Sequence, residues 1–130
     1  MKAYLLDTNV ASQIFKDGSL RQRVRSLAKG MLLISSITEA ELHYGMAKNP
    51  GSVKAAMVIT SLLAKLTVVP FDGWAAQAYG ELRAKFEIEG LSVGALDGLI
   101  AAHAIATESV LVTRDPALLR LHRWVTVERW

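Results

Sequence analysis

The chain has 130 residues, 52% of them hydrophobic and 21% charged, with no cysteine and a formal net charge of +3. That length suits a single domain, residues 1–130, able to bury a core of its own, and the lack of cysteine excludes disulfide scaffolds, cysteine-based zinc modules and thiol catalysis. No apolar run reaches the roughly 18 residues of a membrane span, and Asp7 stands where a signal peptide would stay apolar, so a soluble, cytoplasmic protein is expected.

The elements follow in chain order. Tyr4-Leu5-Leu6 is a short apolar run ending at Asp7-Thr8-Asn9 and reads as a buried strand followed by a turn. Val10 to Lys16 suits a short helix stopped by Asp17-Gly18, and Ser19 to Lys29 a basic helix capped by Ser19 and ended by Gly30. Met31 to Ile34 is a second strand. Ser36 then opens a helix with Glu39 three residues on, the pattern of a capping box, and that helix fails near Asn49-Pro50-Gly51. Val53 to Leu66 is helical by its periodicity, and Thr67-Val68-Val69 is a third strand closed by Pro70. Trp74 to Glu89 is a long amphipathic helix ending at Gly90, and Ala95 to Thr107 a very apolar one. Val110-Leu111-Val112 is a fourth strand, Asp115-Pro116 caps a short helical turn, and Val125-Thr126-Val127 is a last, edge-like strand.

Short apolar strands alternating with helices imply a three-layer α/β/α domain around a mainly parallel sheet of four to five strands. Ligands in such sheets bind beyond the carboxyl ends of the strands. Two acids lie there: Asp7 after the first strand and Asp115 after the fourth, in Val112-Thr113-Arg114-Asp115. Two more sit on otherwise apolar helices. Asp97 opens a helix that continues Gly98-Leu99-Ile100-Ala101-Ala102-His103, and an ionised carboxylate facing a dry core is costly unless paired. Glu41 is two residues from Glu39, about 200° around a helix, so the two face opposite ways. Each acid alone has an ordinary reading: an Asx-turn for Asp7, an N-cap for Asp115, a helix-start acid for Asp97, a solvated helix residue for Glu41. Gathered in one pocket, four carboxylates would repel one another and raise each other's pKa values, a conflict that a divalent cation removes. Hard oxygen ligands without His or Cys suit Mg²⁺ or Mn²⁺, and such a site meets the needs of phosphodiester hydrolysis.

Leu5-Leu6-Asp7-Thr8-Asn9, Ser35-Ser36-Ile37-Thr38-Glu39-Ala40-Glu41-Leu42, the run from Gly94 to His103, and Val112-Thr113-Arg114-Asp115 together resemble the PIN-domain nucleases, and among them the VapC toxins of bacterial type II toxin–antitoxin pairs. The resemblance spans the chain with the segments in order. It implies that Asp7, Glu41, Asp97 and Asp115 are the acidic metal-binding and catalytic residues, with Thr8, Asn9 and Thr113 holding the site in place. It further implies an Mg²⁺- or Mn²⁺-dependent endoribonuclease acting on tRNA or rRNA. Such a protein is a homodimer, silenced by a VapB-like antitoxin whose tail enters the active-site groove, and reaches operator DNA only through that antitoxin. One departure concerns Asp115: many relatives carry Asn-Asn after the fourth strand, where this chain has Arg114-Asp115-Pro116. Asp115 acts on the ion directly or through water.

Other features stay open at this level. Arg83 and Arg114 are candidate RNA or antitoxin contacts, Lys85 could flank the groove, and Arg114 could instead pair with the acids. Arg21, Arg23 and Arg25 form either a phosphate-binding or a solvated face. His103 reads as a satisfied interior residue. Tyr44, Trp74, Tyr79 and Phe86 read as core or dimer contacts, and Gly45 and Gly80 as places of close helix approach, in the core or between subunits. Glu128-Arg129-Trp130 reads as an anchor for the last strand. Two other functions fit the same residues in part: a PIN-like fold that is only a partner in a DNA-binding repressor, and a phosphoryl-transfer domain. A phosphatase of the second kind wants an acid two residues after the first, where this chain has Asn9.

Overall fold

The computed structural model describes residues 2–130. Five strands, β1 (Tyr4–Leu6), β2 (Leu32–Ser35), β3 (Thr67–Val69), β4 (Val110–Val112) and β5 (Val127–Glu128), form one sheet in the order β3-β2-β1-β4-β5. Every pair in it is parallel, so the sheet is wholly and not just mainly parallel. The helices are α1 (Thr8–Gln13), α2 (Gly18–Arg25), α3 (Ser36–Ala47), α4 (Val53–Lys65), α5 (Gly73–Ile88), α6 (Ala95–Ala106) and α7 (Pro116–Leu119).

The two-residue period of the strands divides the apolar side chains between two cores. Leu5, Leu33, Val69, Leu111 and Val127 face α5, α6 and α7, which contribute Leu82, Phe86, Ile100, Ala101 and Leu118. Tyr4, Leu6, Leu32, Ile34, Val68 and Val112 face the other way, against Val10, Leu20, Leu42 and Leu62 of α1 to α4. This is the expected three-layer arrangement. Chain direction across the sheet reverses at β1: β2 and β3 lie on one side of it, β4 and β5 on the other. The carboxyl ends of β1 and β4 therefore flank the switch point where open α/β sheets take their ligands.

Several local expectations are corrected. α2 is capped by Asp17, whose carboxylate accepts from the Leu20 N–H at 3.1 Å, and not by Ser19. It ends at Arg25 rather than Lys29, because the Ser26 hydroxyl bonds back to the Arg23 carbonyl at 2.6 Å and competes with the helix. The Ser36–Glu39 capping box does not form. β2 runs into α3 without a loop, so Ser35 is the cap and accepts from the Ile37 N–H, while the Ser36 hydroxyl accepts from the Phe71 N–H. β5 is shorter and later than expected, since the Val125 N–H is taken by the Leu121 carbonyl. Gly45 and Gly80 have nothing within 4 Å of where a Cβ would lie, which removes a core contact as their reason. The close approach is at Gly98, where a Cβ would meet the Tyr79 ring at 3.2 Å. Phe86 and Tyr79 do pack in the core, but Tyr44 and Trp74 are 67% and 74% exposed.

Trp130 anchors the end of the sheet as expected. Its ring lies 5.1 Å from Tyr4, under the Arg23 guanidinium at 4.7 Å, and its indole N–H donates to Glu128.

Candidate metal centre

Asp7 is held by the register of the two central strands. Leu6 pairs with Val112, and the Asp7 N–H donates to the Val112 carbonyl at 3.0 Å, which sets Thr113 beside Asp7. The Thr113 hydroxyl donates to Asp7 Oδ2 at 2.5 Å, and the Val10 N–H donates to Oδ1 at 2.8 Å, so Asp7 also caps α1. Asp7 is only 2% exposed. Burial pushes its carboxyl above the ordinary value; the two hydrogen bonds oppose that rise, and the charges of Asp115 and Glu41 add to it.

Asp115 caps α7 through the Ala117 N–H at 2.9 Å, and its own N–H donates to the Thr113 oxygen at 3.0 Å. Thr113 thus ties two acids at once. Glu41 comes from α3, the helix that leaves β2. The Thr8 hydroxyl donates to Glu41 Oε1 at 2.6 Å, and the Thr8 and Thr38 hydroxyls lie 3.1 Å apart. Since Thr8 has one proton to give, Thr38 donates to Thr8. Thr38 was not singled out in the sequence, although it sits one turn before Glu41 and so shares its face.

Asp97 lies in the first turn of α6, whose N-cap, Gly94, makes no side-chain hydrogen bond. The helix dipole favours an acid there, yet the carboxyl is pushed up, by burial first and then by the charges of Asp115, Asp7 and Glu41. All four acids therefore share one field. Among the described residues no three acidic or histidine side chains are drawn in tightly enough to grip one ion as they stand. The donor set itself fits a hard divalent cation: four carboxylates and no thiol, with His103 engaged by the Ser35 hydroxyl.

The remaining candidates divide. Thr8 and Thr113 brace carboxylates, whereas Asn9 is exposed and engages Ser12 only through its carbonyl. The Arg114 guanidinium pairs with Asp17 at 2.8 Å and donates to the Trp130 main-chain oxygen at 2.6 Å, holding Asp17 below the usual carboxylate range together with the Leu20 N–H. It does not bind the acidic cluster. Arg83 is on the surface, paired with Glu87 at 3.0 Å and 3.3 Å from the Tyr79 hydroxyl, which raises its pKa. Arg21 donates to the Phe15 carbonyl and Arg23 reaches Glu128. His103 is buried, with Nδ1 2.8 Å from the Ser35 hydroxyl.

The PIN domain family matches residues 4–123. The chain belongs to the PIN-domain family. Similar curated proteins within it include several VapC ribonucleases. The chain is 34% identical to Ribonuclease VapC2 of Rickettsia felis, over 98% of this chain and 97% of that protein. It is 33% identical to the tRNA(fMet)-specific endonuclease VapC of Shigella flexneri, over 88% of each. Among solved structures, the VapBC2 complex of Rickettsia felis bound to a DNA fragment from its promoter superimposes with a TM-score of 0.89 at 34% identity, over 98% of both chains. This PIN domain is thus a nuclease of the VapC toxin type, and the phosphoryl-transfer alternative is set aside. Among the described residues no helix is long and apolar enough to cross a membrane.

Proposed function

We propose that Asp7, Glu41, Asp97 and Asp115 hold Mg²⁺ or Mn²⁺, and that the chain, acting as one PIN unit over residues 1–130, hydrolyses phosphodiester bonds of structured RNA, tRNA or rRNA, in the cytoplasm. The observation that carries this is the meeting of Asp7 and Asp115 at the carboxyl ends of β1 and β4, tied through the Thr113 hydroxyl, with the charge of Glu41 acting on Asp7 and those of Asp7, Glu41 and Asp115 acting on Asp97. A bound divalent ion supplies an activated water and offsets charge on the phosphate oxygens. The protein's own part is positional. Thr113 braces Asp7 and Asp115 with one hydroxyl group, and Thr8 braces Glu41, so three of the four residues that would hold the ion are each fixed by a hydroxyl. Oε2 of Glu41, Oδ2 of Asp115 and both oxygens of Asp97 are left without hydrogen bonds among the described residues, and these would be free to ligate a cation.

The relatives extend the reading. In the Rickettsia felis complex the VapC chain is assembled with VapB on promoter DNA; by likeness this chain pairs with a VapB-type antitoxin, is a homodimer, and meets operator DNA only through the antitoxin. The test is cleavage of tRNA or total RNA by the purified protein. Cleavage with Mn²⁺ or Mg²⁺, stopped by chelator and lost in Asp7→Asn and Asp97→Asn, is expected. Equal cleavage by wild type and both variants overturns the metal-site reading.

A further inference from the structure

A groove of about 600 Å³ reaches the acidic cluster at Glu41, the one of the four acids that lines it among the described residues. Thr8 and Glu41 form its head. Its floor is aliphatic, from Leu42, Val58 and Leu62, and its rim carries Lys16 after α1, Lys48 at the end of α3 and Lys54 in the first turn of α4. All three lysines are exposed, and among the described residues none is paired with an acid. Apart from Glu41, no acidic residue lines the groove. The first turn of α4 contains no acid either, so Lys54 and the positive end of that helix add together.

We propose that this groove carries the RNA strand adjoining the scissile phosphate, with Lys16, Lys48 and Lys54 as phosphate-positioning residues. The proposal rests on the ribonuclease reading above. Charge complementarity selects a polyanion, and continuity selects RNA: a strand whose reacting phosphate sits at the carboxylates must lead its neighbouring phosphates past Glu41 and Thr8. Lysines at those points neutralise them without reading sequence. The remaining groove volume admits sugars and bases against the aliphatic floor. An acidic peptide would meet the same charges, and it forms the opposing outcome of the test.

The measurement is binding of a labelled tRNA transcript in chelator, by fluorescence anisotropy, across roughly 50 to 200 mM salt. Wild type is compared with the triple variant Lys16→Gln/Lys48→Gln/Lys54→Gln, each single variant, and Lys85→Gln, which lies on α5 outside the groove. Each phosphate contact contributes about 0.7 to 0.9 to the slope of log affinity against log salt, so the triple variant should flatten the slope by roughly 2 and each single variant by somewhat under 1. Tenfold or greater loss of affinity at low salt, a raised KM with little change in kcat, and no effect of Lys85→Gln are expected. An unchanged slope in the folded triple variant overturns the proposal, as does an equal effect of Lys85→Gln. So does a triple variant that keeps its RNA slope but escapes neutralisation by a VapB-type antitoxin, since the groove would then belong to that protein. Failure of the underlying reading looks different: wild type itself would neither bind nor cleave the transcript.

Discussion

Asp7 carries two duties with opposite demands. As the cap of α1 it needs only an acceptor for the Val10 N–H; as the metal ligand proposed above it would have to be ionised where burial and two neighbouring acids disfavour charge. The two duties separate by mutation. Asp7→Asn keeps the cap, because Asn caps helices as well as Asp does, and removes the buried charge, whereas Asp7→Ala loses the cap at about 1 kcal/mol. In chelator, Asp7→Asn is expected to melt at or above the wild-type temperature and Asp7→Ala below it, with RNA cleavage undetectable in both. An Asn variant as unstable as the Ala variant would show that the charge itself supports the fold. The same residue shows how much of the site was legible. Asp7, Asp97, Glu41 and Asp115 stood out because acids on apolar elements are conspicuous in a sequence. Thr38 and Ser35 did not, because a hydroxyl is ordinary on a helix and only the fold shows what it faces. Arg114 was misleading for the same reason: its proximity to Asp115 in sequence said nothing of Asp17, which is 97 positions away and holds it.

Among the elements, α3 and α6 must keep a fixed relation, since they carry Glu41 and Asp97 towards the same acidic cluster. His103 and Ser35 join them. Ser35 caps α3, and His103 of α6 contacts the Ser35 hydroxyl at 2.8 Å while stacking edge-on with Phe71 at 5.2 Å. Burial lowers the pKa of His103 below 6.5, opposed by the Asp72 charge and the Pro70 carbonyl. A neutral ring in the fold with an ordinary one in the unfolded chain gives a definite sign: the contribution is full above pH 6.5 and declines as pH falls, and it is lost once pH drops below the folded value. Thermal unfolding between about pH 7.5 and 5.5 should therefore shift downward with acid in wild type and less so in His103→Gln. An equal shift in both would assign the pH dependence elsewhere. Asp7 and Asp97, raised above 3.8, work in the opposite sense, since the metal-free fold gains stability as pH falls through their range. The element boundaries repeat the same lesson. β1, β3 and β4 were readable to the residue because each is a short apolar or β-branched run stopped by a residue that ends it, Asp7, Pro70 and Thr113. The caps of α2 and α3 lie two residues and one residue earlier than expected because Asp17 and Ser35 competed with Ser19 and Ser36, a contest settled by which oxygen the incoming strand or turn aims at the helix.

For the whole molecule, parallel topology concentrates the conflict at one end of the sheet. β1 and β4 bring Asp7 and Asp115 to their carboxyl ends, and α3 and α6 add Glu41 and Asp97, so a sheet ordered β3-β2-β1-β4-β5 gathers four negative charges at its switch point. The sequence order of the segments, not any one segment, makes the site, which is why the acids looked weak singly and coherent together. A fold built around such a conflict is less stable empty than filled. Any ion that binds the folded chain alone adds RT ln(1 + [L]/Kd), about 2.7 kcal/mol at 100 times Kd. Mn²⁺ titrated to saturation should raise the unfolding temperature of wild type by several degrees at about this energy for a domain of this size. Asp97→Asn, which removes a carboxylate with no capping bond to lose, should start from an equal or higher temperature in chelator and gain much less from Mn²⁺. The readout needs no RNA and no cleavage, so it isolates the cation from the chemistry. Equal stabilisation of wild type and Asp97→Asn by Mn²⁺ would place the bound ion away from this cluster.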